Sequence, residues 1–460
     1  MTGPFMNLPT TTHATGSAGR MLRNPIFRNV ARVGALGIVG RLFMVARDLV
    51  IAHHFGLGDA LDAFMVASMV SLFLSSVLAA SVGNAFLPLY VRARDNQNPA
   101  AARRLLALTS GFTLALTLGL SLLLAIGASP LLTVLAPGFD EPKRHLTVSL
   151  FRVLLPGLVL SGASLAFAPA LNATGRLMIA AFGPVANAMV TLAVIVAGSR
   201  GPGIGVLAWA TLAGTTTEAL VLGWACRRQG LPVLPRFAFA DPALRAVFAQ
   251  AVPLAGAAIL STSNVLIDQA MAATLGSGSV ACLGYGRKLV QLIVPLATVA
   301  LSSVYLPRLA QLAAAGDRAA LRSMARESVR AIMAVTIPLT LGLVFLSRPI
   351  VHLLFERGSF TSADTDAVTA VQQLGLLQIP FHIAGIVGVR LLGALGRNHL
   401  IAIVAAINLA TNVTGNFVLM HLYGVRGIGL STSIVFLISF ALVQLAVWRE
   451  LAVSPRGGHP

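Results

Sequence analysis

Within an otherwise apolar run near the start of the chain stands Gly40-Arg41-Leu42-Phe43-Met44-Val45-Ala46-Arg47-Asp48. Arg41 and Arg47 are six residues apart, which on a helix means roughly 9 Å of rise and roughly 120° of rotation. An arginine deep in hydrocarbon is costly unless it reaches a cavity, an interface or a partner. Its planar, permanently charged fork suits phosphate oxygens, so both arginines are candidate anion ligands flanking a wide cleft. Asp48 adjoins Arg47 and Asp62 opens the next helix, so either acid could hold an arginine in place. The same residues also fit a plainer role, in which they staple the first helix or snorkel to the interface.

A second cationic group lies in Tyr285-Gly286-Arg287-Lys288-Leu289-Val290-Gln291. Arg287 and Lys288 can supply the far wall of an anionic pocket, with Gln291 one turn below Arg287 as a neutral hydrogen-bonding group. Interface anchoring is the competing reading. Asp268 and Glu218, inside the seventh and sixth apolar stretches, each suit a cation or proton, or a pair with an arginine. Cys226 and Cys282 have no metal-ligand spacing and read as small apolar packers. No Walker-type phosphate loop or metal cluster appears in the sequence, so no catalytic residue, metal or cofactor is expected.

The elements that must position these groups are set by composition. In 460 residues, 56% are apolar and 10% charged, with a mean hydropathy of +0.84. A water-soluble globule would lack polar side chains for its surface. Runs of roughly 20 apolar residues span a bilayer as helices, and irregular backbone is not tolerated in lipid. The sequence predicts twelve spans, near 33–54, 62–87, 105–135, 147–171, 178–198, 203–225, 250–274, 280–306, 328–347, 370–392, 399–420 and 427–448. Uncharged runs such as 112–129 and 401–420 argue against a soluble helical solenoid.

The formal net charge of +18 does not point to nucleic acid, because the cations segregate by side. With the amino terminus cytoplasmic, inside segments hold 20 Lys/Arg and outside loops six. The positive-inside rule then puts both termini in the cytoplasm. Residues 1–29 read as a flexible cytoplasmic tail without a removable signal.

The two halves look like copies offset by about 220 residues. Asp48 meets Asp268, Leu87-Pro88 meets Leu306-Pro307, and Phe139 meets Phe360. Leu171-Asn172-Ala173-Thr174-Gly175-Arg176, followed by Asn187, meets Leu392-Gly393-Ala394-Leu395-Gly396-Arg397, followed by Asn408. The expected fold is all-α, with six-helix lobes at 30–226 and 250–448 related by a pseudo-twofold along the membrane normal. A basic, proline-punctuated linker (227–249) joins them, and 449–460 forms a cytoplasmic tail. Two such bundles facing across a cleft suit alternating access.

The stretch from Arg41 to Phe64, with Arg47-Asp48, His54-Phe55-Gly56-Leu57-Gly58 and Leu61-Asp62-Ala63-Phe64, resembles the opening of the MurJ/MviN lipid II flippases of the MOP exporter superfamily. Ala85-Phe86-Leu87-Pro88, Leu135-Ala136-Pro137-Gly138-Phe139, Ala170-Leu171-Asn172-Ala173, Gly278-Ser279-Val280 and Leu354-Phe355-Glu356-Arg357-Gly358-Ser359-Phe360-Thr361 extend the resemblance over residues 30–450. It implies two six-helix lobes, often followed by two further helices where this chain stops after twelve. The implied activity is transfer of an undecaprenyl-pyrophosphate-linked peptidoglycan precursor across the bacterial inner membrane, from the cytoplasmic to the periplasmic leaflet. Membrane potential or an ion gradient, rather than ATP, would drive it.

Transport residues of the family carry onto Arg41, Arg47 and Asp62, and its eighth-span basic residue onto Lys288. Where the family has an arginine pair and an acid in the second span, this chain has Leu74-Ser75-Ser76 and Ala79-Ala80-Ser81. The family's eighth-span Asp-Arg followed by Glu appears as Arg287-Lys288 and Gln291. The implied partners are a polyprenyl-pyrophosphate-linked sugar, the bilayer and cell-envelope biosynthesis proteins, with the chain acting as a monomer. Three other functions remain open from sequence: export of an exopolysaccharide-type lipid-linked oligosaccharide, multidrug or cation antiport, and a non-transporting membrane scaffold.

Overall fold

The computed structural model describes residues 25–95, 98–198 and 203–452, and every regular element among them is helical. The helices are α1 (Pro25–Phe55), α2 (Asp59–Asp95), α3 (Pro99–Ile126), α4 (Ala128–Leu135), α5 (Glu141–Ala173), α6 (Leu177–Gly198) and α7 (Gly205–Arg228). They continue as α8 (Pro242–Ala272), α9 (Ser279–Gly286), α10 (Lys288–Ala314), α11 (Arg318–Phe355), α12 (Ser362–Ala394), α13 (Asn398–Tyr423) and α14 (Val425–Ala452). Among the described residues, eleven helices are long and apolar enough to cross a membrane, α9 and α10 counting as one. The 31-residue α1 has the length, about 46 Å, but breaks the apolar pattern with its arginines and Asp48. The chain is thus an all-α, multi-spanning membrane protein.

Two expected spans are interrupted. The stretch 105–135 is divided where Gly127 leaves helical geometry (φ −85°, ψ 12°) and α4 starts afresh. Pro130, without an N–H, suits the first turn of that new helix. The stretch 280–306 steps at Arg287, between α9 and α10. In α2 the small residues Ala79–Gly83 form one wide π-type turn, a local irregularity that marks a bend.

In lipid, helices associate by close packing rather than by escape from water, so small residues and buried polar groups decide the contacts. Gly40 lets α1 approach α6, where an added Cβ would stand 3.1 Å from Val185 Cγ2. The largest apolar cluster unites residues from early and late in the chain, including Ala52, Leu61 and Phe151 with Val280, Tyr285, Phe360 and Ile428. A second cluster joins α2, α3, α5 and α7 to Val247 and Ala251 of α8.

Local geometry recurs at the expected offset. Gly175 (φ 79°) and Gly396 (φ 73°) take the left-handed conformation that glycine adopts freely. Each lets the next residue bond back to a matching carbonyl, Arg176 N to Leu171 O at 2.9 Å and Arg397 N to Leu392 O at 2.8 Å. Further on, Asn187 Nδ2 donates to Glu218 Oε2 (2.8 Å) and Asn408 Nδ2 donates to Ser439 Oγ (2.9 Å), both across 31 residues of chain.

Candidate functional site

A cavity of about 340 Å³ lies among α1, α2, α5, α6 and α7 on one side and α8, α9 and α10 on the other. Arg47 and Asp48 of α1 reach it, as do Lys288 and Gln291 of α10. Asp48 stands between two cations. Arg47 donates Nε and Nη2 to its Oδ1 at 3.2 and 2.9 Å, and Lys288 Nζ meets Oδ2 at 2.5 Å. The carboxylate is nearly enclosed, whereas the Arg47 and Lys288 side chains each remain 29% exposed. Two cations and one anion leave a net positive wall. Tyr285 beneath them donates its hydroxyl to the Asp48 carbonyl at 3.4 Å.

The opposite wall carries hydroxyls rather than charges. Ser68, Ser71 and Ser75 of α2 line it at a spacing that keeps them on one helical face. Ser161 of α5, Thr191 of α6, and Thr211 and Thr215 of α7 complete it. Ser75 and Ser161 share a hydrogen bond (3.2 Å), and Thr211 and Thr215 bond back to their own helix at 2.7 and 2.9 Å. The Ser71 hydroxyl is buried without a partner. Sequence reasoning noted Leu74-Ser75-Ser76 only as a departure from the family. The three-then-four spacing of serines in an apolar helix was the signal for this wall.

Other residues picked from the sequence lie elsewhere. Arg41 is outside the lining and donates Nη1 to the Leu292 carbonyl of α10 at 3.1 Å. Arg287 turns from the cavity and bonds Asp268 Oδ2 through Nη1 at 2.8 Å. Arg287 and Lys288 therefore do not share one wall as expected: Lys288 lines the cavity, whereas Arg287 is held by Asp268. Asp268 is fully buried and also accepts from Asn412 Nδ2 (2.9 Å), Asn416 Nδ2 (2.7 Å) and the Thr432 hydroxyl (3.5 Å). Glu218 sits behind the wall, bonded through Asn187 to the cavity-lining Thr191, whose hydroxyl meets Asn187 Oδ1 at 3.2 Å.

Asp62 is likewise absent from the cavity lining. Its carboxylate caps α9, accepting from Gly278 N and Ala281 N at 2.8 Å each and pairing with Lys143 Nζ at 3.0 Å. An acid at the head of a helix complements the unpaired amides and the dipole there. Lys143 also meets Asp59 at 2.6 Å. Nearby, Ser359 donates its N–H to His53 O (2.8 Å) and its hydroxyl to His54 O (3.1 Å). Backbone approaches of Gly56 to Ser359, Gly138 to Ala273 and Gly278 to Leu57 are close enough that a Cβ would collide or crowd. Early and late parts of the chain are therefore bolted together at this face.

The family described as Lipid II flippase MurJ matches residues 51–458. The chain belongs to the MurJ family. A probable lipid II flippase MurJ from Buchnera aphidicola subsp. Acyrthosiphon pisum is 24% identical over 441 residues, covering 93% of this chain and 85% of that protein. The solved structure titled Lipid II flippase MurJ, inward closed conformation, superposes with a TM-score of 0.79 at 21% identity, covering 90% of this chain and 87% of that one. An inward-facing multidrug resistance MATE family transporter of the MOP superfamily gives a TM-score of 0.78 at 15% identity, covering 92% and 98%. Membership of the MurJ family makes the chain a multi-pass bacterial inner-membrane transporter rather than an enzyme.

Proposed function

We propose that this MurJ-family chain carries a polyprenyl-pyrophosphate-linked sugar, lipid II foremost, from the cytoplasmic to the periplasmic leaflet by alternating access. The observation that carries this reading is the meeting of Arg47 and Lys288, 241 positions apart in the chain, on one cavity around Asp48. An incoming pyrophosphate competes with the Asp48 carboxylate for both cations. The guanidinium fork takes two oxygens and the ammonium acts as a point charge. The hydroxyl wall faces the uncharged parts of the head group, and the prenyl tail stays in lipid. Ligand cavities run from roughly 300 to 1,000 Å³, so a cavity of about 340 Å³ is at the small end of that range and must widen for a large head group.

Two parallel six-helix lobes suit this cycle, and the twin glycine caps and twin asparagine bonds support that division. The positive-inside asymmetry makes the bolted face periplasmic and both termini cytoplasmic. Opening outward then requires Asp62 to leave Gly278 and Ala281, and Ser359 to leave His53. Neutralising the cavity cations with substrate favours that rearrangement, because it removes the charge held apart from water. Membrane potential acts on each charge moved, worth about 2.3 kcal/mol per 100 mV. Arg41, bonded to α10 beside the cavity, guides the phosphate inward, while Asp268 and Glu218 orient neighbouring side chains.

One observation favours a second substrate of the same class. Ser75 lines the cavity within Leu74-Ser75-Ser76, where the resemblance places an arginine pair, which suits a lipid-linked oligosaccharide with fewer acidic groups. Vesicles loaded with lipid II, or with a polyprenyl-pyrophosphate neutral oligosaccharide, distinguish them when leaflet accessibility is followed with and without an imposed potential. Faster transfer of lipid II supports the first reading and faster transfer of the neutral glycan the second. Transfer of neither overturns both.

A further inference from the structure

Helix α11 is 38 residues long, about 57 Å, against a hydrocarbon core of about 30 Å. Its uncharged run begins after Arg330 and lasts until Arg348. The turns before it therefore stand at the level of the lipid head groups or beyond. They carry arginines at every fourth position, namely 318, 322, 326 and 330. Each step of four drifts by about 40°, so the row winds through about a third of a circle. All four arginines line a second pocket of about 490 Å³, with Leu451 of α14 and a single acid, Glu327. It shares no lining residue with the transport cavity.

Cations four apart on a helix repel one another, so the row is unfavourable unless an anion answers it. Protein groups answer it only in part. Arg318 donates to the Glu450 carbonyl at 3.1 Å, tying α11 to the end of α14, and Glu327 accepts from the Ser323 hydroxyl at 2.6 Å. Arg322 Nε is shielded from solvent with no hydrogen-bond partner. Among the described residues, Arg322, Arg326 and Arg330 form no salt bridge.

We propose that this pocket binds a phosphodiester anion, carried by an anionic phospholipid of the adjoining leaflet. Guanidinium forks match phosphate oxygens, and basic clusters beside a membrane span draw anionic head groups. Ile337 and Leu341, seven and eleven residues past Arg330 and so on its face, are exposed and give the acyl chains a track. The site is independent of what the transporter carries.

The test uses the full chain in detergent, titrated with phosphatidylglycerol, phosphatidylcholine or inorganic phosphate while bound adducts are counted by native mass spectrometry. Phosphatidylglycerol is expected to bind at least about tenfold more tightly than phosphatidylcholine, and Arg322→Gln with Arg326→Gln to abolish that preference. The corresponding lysine pair should retain part of it. Arg330→Gln, at an exposed position, should weaken it on its own and serves if the double variant does not stay monodisperse. Equal binding of the two lipids, an unchanged preference in a monodisperse glutamine variant, or displacement of the lipid by submillimolar inorganic phosphate would overturn the proposal.

Discussion

Asp48 and Asp268 are aligned by the sequence offset of about 220 residues, yet their surroundings differ in kind. Asp48 faces the cavity, and its second cation, Lys288, comes from the later half of the chain. Asp268 is sealed among Arg287, Asn412, Asn416 and Thr432, all from the later half. A carboxylate whose cations keep exposed ends can release them to an incoming anion. One that is itself fully buried, with Arg287 only 18% exposed and the amide donors Asn412 and Asn416 buried, fastens helices together, since breaking such a pair leaves a largely stranded charge. Two aspartates aligned by the sequence offset therefore sit among different neighbours, and it is the neighbours that set what each carboxylate can do.

The sharpest way to break that contrast is Asp268→Ala, which strands Arg287 and should cost about 3–5 kcal/mol of stability. Thermal unfolding of the purified protein measures it, and a midpoint equal to wild type would remove the fastener role. Next come Arg47→Ala and Lys288→Ala. Each should leave a folded protein and lower transport by about tenfold or more, the worth of one charge-assisted contact to a phosphate. If either variant instead unfolds as readily as Asp268→Ala, the Asp48 cluster is also a fastener.

Asp48→Asn probes the same cluster from the anion's side. Removing the internal competitor should tighten pyrophosphate binding severalfold and slow release, which calorimetry and turnover would register together. Weaker binding would mean that Asp48 positions the cations more than it competes for them. The smallest effect is expected from Ser75→Ala, which deletes the bond to Ser161 at a cost of about 1 kcal/mol or less. Its influence should fall on apparent affinity for the sugar head rather than on stability.

Much of the scaffold was readable from hydropathy because lipid enforces long helices wherever apolar runs are long enough. At two of the positions that the offset aligns, Gly175 and Gly396, both glycines form a left-handed cap, which restricts the residue that can occupy it. The break at Gly127 was harder, since it does not interrupt the apolar composition around it. Within the site, what separates Arg287 from Lys288 is the pull of Asp268 on the guanidinium. No local pattern could show that Asp62 would cap α9, because its partners Gly278 and Ala281 lie 216 and 219 residues away. Long-range pairing is a property of packing, and a single chain read by itself does not carry it.

The most direct measurement is leaflet accessibility of a labelled polyprenyl-pyrophosphate sugar in vesicles holding wild type, Arg47→Glu or Lys288→Glu, each shown to be folded by its unfolding midpoint. With Arg47 and Lys288 as the phosphate ligands, both reversals should abolish transfer that wild type performs. Transfer at the wild-type rate by either folded variant would contradict that role.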